Sequence, residues 1–139
     1  MDSIESPNET RFAYRSAFLT IATIDLDRSV RFYRDLLQRE PDFYKPRVYA
    51  EFELSGMKLG LFCPKDTNRE EFGDSRGSGM SICWEVEDLD EAIAHLVATG
   101  RAPTTEIGHA SHGREIYIYD PDGNRLILHQ SIANTNPLR

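Results

Sequence analysis

Two copies of one plan run through this chain, and that repetition constrains its fold more than any other feature. Asp25-Leu26-Asp27 precedes residues 28–37, and Asp88-Leu89-Asp90 precedes residues 91–100, 63 positions later. Each opening Asp is suited to cap a helix, because its carboxylate accepts N–H groups that have no partner in the first turn. Glu91 stands three residues after Asp88, a variant of the capping box. Val30, Tyr33 and Leu37 recur at helical spacing in the first segment; Leu89, Ile93, Leu96 and Val97 do so in the second. Gly100 is placed to end the second helix in a left-handed conformation.

A strand-like run precedes each helix. In residues 17–24, Leu19 and Ile21 alternate with Thr20 and Ala22; in residues 80–86, Ile82, Trp84 and Val86 alternate with Ser81, Cys83 and Glu85. A period of two gives each strand one bulky face and one different face. A hairpin follows each helix. Residues 48–54 turn at Ser55-Gly56 into residues 57–62, and residues 114–119 turn at Asp120-Pro121-Asp122-Gly123-Asn124 into residues 125–129. In the second turn Pro presets φ and Gly accepts positive φ, so that turn has a mechanism. The turn glycines, Gly56 and Gly123, are 67 positions apart, close to the helix offset. The repeating unit is therefore strand, helix, short strand, hairpin.

The remaining features bound the function. One compact domain is the expectation for 139 residues, organised as an N-terminal tail (1–14), a first module (15–63), a linker loop (64–79), a second module (80–130) and a C-terminal tail (131–139). The linker is polar and Gly-rich, with a lid over a pocket as its functional alternative. A net charge of −7 opposes a nucleic-acid partner. No apolar run reaches the roughly 20 residues of a membrane span. The polar, acidic start of the chain does not resemble a secretory signal, so a cytoplasmic protein with reduced thiols is expected. Cys63 and Cys83 have no metal-type spacing and are read as core or pocket-wall residues. The sequence contains no G-x-S-x-G, P-loop or dinucleotide-binding fingerprint.

The repeat resembles the vicinal oxygen chelate superfamily, which includes glyoxalases, bleomycin- and fosfomycin-resistance proteins and extradiol dioxygenases. The segment from Asp25 to Tyr33 looks like the family's "D-l-x-r-S-x-x-F-Y" helix start. Residues 86–92 look like its second-module counterpart, and residues 120–124 look like its "DPDGN" turn. One departure is Gln38-Arg39, which follows the first helix where the family often has Gly. The resemblance covers residues 17–130 and implies an α+β fold: tandem βαβββ modules forming a cupped mixed sheet with the helices on its outer face. Leu19, Ile21, Leu59, Leu61, Ile82, Trp84, Val86, Leu126 and Leu128 would lie under the helices. The alternating residues would face the cup. Homodimerisation is also implied.

Metal-dependent relatives place ligands on the first and last strands of each module. By the resemblance those positions are Phe18, Gly60, Ser81 and Ile127, none an ordinary divalent-metal ligand. No metal and no cofactor are therefore expected. His95 reads as a surface residue, and His109 and His112 as loop residues with no carboxylate in obvious reach. The remaining route to a metal is a displaced site using His129 with Glu51, Glu53 or Glu85. The expected ligand-binding set is Phe18, Thr20, Gly60, Ser81, Cys83, Glu85, Tyr117, Ile127 and His129. The expected partner is a small organic molecule, held as bleomycin-resistance-type proteins hold theirs. Tyr119 and Phe62 are further candidates for the aromatic wall. Glu85 is the expected catalytic group if a reaction occurs, since a partly apolar pocket favours the neutral carboxyl and suits a general base. The alternative function is a metal-dependent or cofactor-free lyase, isomerase or dioxygenase of the same superfamily.

Overall fold

The computed structural model describes residues 10–73 and 76–132; residues 1–9 and 133–139 of the expected tails lie outside them. The first module runs β1 (Leu19–Ala22), α1 (Leu26–Leu37), β2 (Phe43–Lys45), β3 (Tyr49–Leu54), β4 (Met57–Phe62). The second runs β5 (Ile82–Glu85), α2 (Leu89–Ala98), β6 (Gly108–Ala110), β7 (Gly113–Tyr119), β8 (Arg125–Ser131). Two four-stranded mixed sheets result, with orders β1-β4-β3-β2 and β5-β8-β7-β6. The first strand of each module lies parallel to the last, and the other pairs are antiparallel. The registers repeat as the chain does. Thr20 lies opposite Gly60 in one sheet, and Cys83 opposite Ile127 in the other.

The local signals act as their chemistry requires. Asp25 accepts the Arg28 N–H at 3.1 Å, and Asp88 accepts the Glu91 N–H at 3.0 Å, so each helix is capped by its opening Asp. Gly56, Gly100 and Gly123 have positive φ. Gln38 ends α1 with φ 57° and ψ 43°, the left-handed conformation in which a side chain is costly.

The bulky strand residues pack under the helices. Leu59, Leu61, Ile82, Leu126 and Leu128 are buried, and Leu19, Ile21, Trp84 and Val86 pack against them half-buried. Leu26, Val30, Phe32 and Tyr33 close the core from α1, and Leu89 and Leu96 from α2. Area removed from water drives this assembly, and alternation along each strand decides which residues contribute.

The two modules are clasped by the motifs themselves. Buried Tyr33 donates its hydroxyl to Asp120 at 2.7 Å, and Ser29 donates to Asp122 at 3.1 Å. Helix α1 therefore rests on the Asp-Pro-Asp-Gly turn of the other module. Asp120 also accepts the backbone N–H groups of Asp122 and Asn124 and the Asn124 amide. Farther along, Arg101 pairs with Asp35 at 3.0 Å and lies over the Phe32 ring. His95 is not a free surface residue, because its Nε2 bonds the Asp35 carbonyl at 2.7 Å and ties α2 to α1. The linker is not plain loop either. It forms a 3₁₀ segment (Asp66–Phe72), whose Phe72 ring meets Phe62 edge-on at 5.0 Å.

Candidate functional site

The sheet faces turned away from the helices carry the expected site residues, but in three separate groups. On the first sheet, Phe18 lies under the Lys58 ammonium, 5.5 Å from its ring centroid. Lys58 pairs with Glu51 at 3.6 Å, and Tyr49 donates to Glu51 at 2.8 Å. Gly60 is buried because the Tyr49 ring leans across it; a Cβ there would sit 2.7 Å from the Tyr49 hydroxyl. Burial and the hydrogen bond to Glu51 push the Tyr49 phenol up to about 12. Tyr117 and Tyr119 lie on the second sheet, so Phe18 does not share one sheet surface with them as a continuous aromatic wall.

Thr20 and Ser81 form the second group. They line a cavity of about 340 Å³ between edge strands β1 and β5, with Leu19, Ile21, Phe72 and Met80 around them. Hydrogen bonding between strands stops at those two edges, so each sheet is separate. The Ser81 hydroxyl is engaged, accepting the Arg125 Nε–H at 2.7 Å. That contact removes the one oxygen donor among Phe18, Gly60, Ser81 and Ile127. The metal that the family implies at these positions therefore does not fit them.

The third group spans the second sheet. Cys83, Ile127 and Tyr117 form one row across β5, β8 and β7, and Glu85, His129 and Glu115 form the next. The row of the first module that matches Glu85, His129 and Glu115 is Ala22, Phe62 and Tyr49, so in that row the charged groups are confined to the second copy. Glu85 Oε1 accepts from His129 Nδ1 at 2.7 Å, and Oε2 accepts the Ser131 N–H at 2.7 Å. Burial acts to raise the Glu85 carboxyl. The hydrogen bonds from Ser131 and His129 outweigh it and leave the group below its ordinary value. The expectation of a Glu85 held neutral as a general base is thereby corrected: the site favours its ionised form and occupies both oxygens. Cys83 is exposed on this face, not a core residue, and Cys63 is half-buried. Partial desolvation by its neighbours, together with Glu85 and Glu115, raises the Cys83 thiol, the opposite of what a nucleophile needs.

The same face corrects the reading of His112. One ligand atom each from His112, Glu115 and His129 lies within 4.8 Å of the other two, so His112 does have a carboxylate in reach. The His112 ring stacks on His129 at 4.9 Å. Glu115 entered no expected site, although the turn contains the signal. Once Tyr119 pairs with Arg125 across residues 120–124, counting back along the antiparallel hairpin puts Glu115 opposite His129. Glu51 and Glu53, the other carboxylates considered for His129, lie on the first sheet.

This architecture and the comparisons agree. The family profile "Glyoxalase/Bleomycin resistance protein/Dioxygenase superfamily" matches residues 15–128, and the chain belongs to that superfamily. Among individual relatives, it is similar to the metallothiol transferase FosB of Shouchella clausii, 28% identical over 115 residues, covering 80% of this chain and 76% of that protein. A glyoxalase/bleomycin resistance protein from Catenulispora acidiphila superposes with TM-score 0.66 at 24% identity, covering 84% of this chain and 97% of the other. The fosfomycin resistance protein FosX from Listeria monocytogenes superposes with TM-score 0.67 at 17% identity, covering 88% and 97%. At such identities the structural matches establish the fold alone. Among the described residues, no helix is long and apolar enough to cross a membrane.

Proposed function

We propose that this chain binds a small organic molecule on the sheet faces opposite its helices, without a metal at the positions its relatives use. One observation carries the reading: Phe18, Gly60, Ser81 and Ile127 offer no free donor, since the only hydroxyl among them is held by Arg125. The cavity between β1 and β5 supports it, with apolar walls from Leu19, Ile21, Phe72 and Met80 and polar groups from Thr20, Ser81, Glu71 and Arg125 among its lining. Exposed Phe18, Tyr117 and Tyr119 add aromatic surface, and Glu85 adds an anionic anchor suited to a cationic ligand. Pairing of two copies across a two-fold axis, which would complete the cup from both chains, belongs to the same reading.

The test is a thermal-shift screen of cationic aromatic compounds against chelator-treated protein. At least one compound should raise Tm, and Thr20→Arg should abolish that rise by filling the cavity. A panel with no shift, or a shift that survives Thr20→Arg, overturns the reading. The second reading is a metal-dependent enzyme, favoured by the 28% identity to a metallothiol transferase. Its assay is thiol consumption in the presence of fosfomycin and divalent metal. Turnover by this chain would replace sequestration with catalysis.

A further inference from the structure

We propose that His112, Glu115 and His129 hold one divalent transition-metal ion, at a place the family's metal positions do not include. His129 is the fixed member of the set. Its side chain is only 5% exposed, and its Nδ1 is bonded to Glu85. Glu85 is fixed in turn by the Ser131 N–H. A carboxylate on one ring nitrogen keeps the proton there and leaves the lone pair on the other, which is how metal-ligating histidines are oriented. The other nitrogen, Nε2, is buried and has no hydrogen-bond partner. A buried polar atom without a partner is uncommon and calls for an explanation.

The neighbours of Nε2 supply one. Glu115 lies directly opposite His129 across β7 and β8. His112, in the turn before β7, folds back so that its ring stacks on His129. One ligand atom each from His112, Glu115 and His129 lies within 4.8 Å of the other two. Gly113 keeps the approach open: a Cβ there would stand 3.0 Å from Nε2 and 2.2 Å from the Gln130 carbonyl oxygen. Metal–donor bonds of about 2.0–2.2 Å require donors about 3.3 Å apart in a tetrahedron. The half-buried His112 and Glu115 side chains close that gap by turning toward a fixed His129. Two imidazoles and a carboxylate select zinc, cobalt or nickel over magnesium or calcium, which prefer oxygen alone. Three protein ligands leave a coordination position for water or an exogenous donor.

The site lies two residues beyond Ile127 on the same strand face, one row along from where the resemblance puts a ligand. It shares Glu85 with the small-molecule reading above, but the cavity lined by Thr20 and Ser81 takes no part in it.

The experiment is a titration of untagged, chelator-stripped protein with Co²⁺, followed by visible absorption, then displacement by Zn²⁺. One equivalent should bind with the intense bands of low-coordinate cobalt. His112→Ala and Glu115→Gln should each weaken binding by about tenfold or more, and Glu85→Gln, which frees the His129 ring, by about tenfold. His109→Ala, on the adjacent β6, should bind as the unaltered protein does. Circular dichroism verifies that each variant is folded, and His112→Gln serves in place of any His112→Ala that is not. Binding below a tenth of an equivalent, or binding unchanged in both His112→Ala and Glu115→Gln, overturns the proposal.

Discussion

Replacing Tyr33 by Phe removes one oxygen from the interior and tests whether the two modules are clasped by their motifs. Tyr33 is fully buried, and its hydroxyl donates to an Asp120 that is only 5% exposed. A buried hydrogen bond to a charged acceptor contributes about 1.5–3 kcal/mol. The same Asp120 oxygen keeps the Asn124 amide at 2.9 Å, so it is not left bare. The lower half of that range applies, about 2 kcal/mol. For a chain of this length that is a fall in Tm of roughly 8 °C. Urea unfolding with an unchanged m-value measures it, and a double-mutant cycle with Asp120→Asn isolates the pair. The coupling energy should be about 1 kcal/mol or more. A Tyr33→Phe variant within about 0.5 kcal/mol of the original, or a loss just as large when Asp120 is already Asn, would refute the reasoning. The phenol adds a second readout. Burial, then the charge of Asp120 and its hydrogen bond, hold the Tyr33 phenol well above 10 in the folded state. A raised folded value means stability present below pH 10 and lost as pH climbs above it. Tyr33→Phe should therefore show a shallower alkaline decline.

The other predictions concern backbone and acid behaviour. Gln38→Gly should stabilise by about 0.5–1 kcal/mol in chemical denaturation, because the left-handed cap costs a side chain more than glycine loses in chain entropy. Gly113→Ala should destabilise by about 2 kcal/mol or more, since its Cβ meets backbone oxygen at 2.2 Å. Gly60→Ala should cost less than about 1.5 kcal/mol, because the clashing group is the movable end of Tyr49. Glu85 titrates below its ordinary value when folded, so the stability it adds is present above that value and is lost as pH falls. Glu85→Gln should flatten the acid limb of the stability profile, and an unchanged limb would remove Glu85 from the account.

Much of this architecture follows from short-range chemistry and is therefore legible along the chain. Asp25 and Asp88 cap helices because a carboxylate three residues before an N–H is a local geometry. Leu59 and Leu61 go inside while Gly60 faces the other way, because side chains alternate along any strand. Even the Glu115–His129 pairing was available from the turn and a count back along the hairpin.

What the chain could not announce by itself depends on contacts between residues far apart in sequence. Asp120-Pro121-Asp122-Gly123 is a good turn anywhere; only the docking of α1 makes its two carboxylates partners for Tyr33 and Ser29, 87 and 93 residues away. His95 has the spacing of an exposed helical residue until α1 brings the Asp35 carbonyl to it. The Glu85 carboxyl, placed in an apolar pocket by alternation alone, is instead held ionised by donors 44 and 46 positions downstream. Secondary structure and the inside–outside pattern are properties of neighbours along the backbone, so the sequence determines them. Protonation, donor convergence and the unpartnered Nε2 of His129 are properties of neighbours in space, and only the packed tertiary structure decides them.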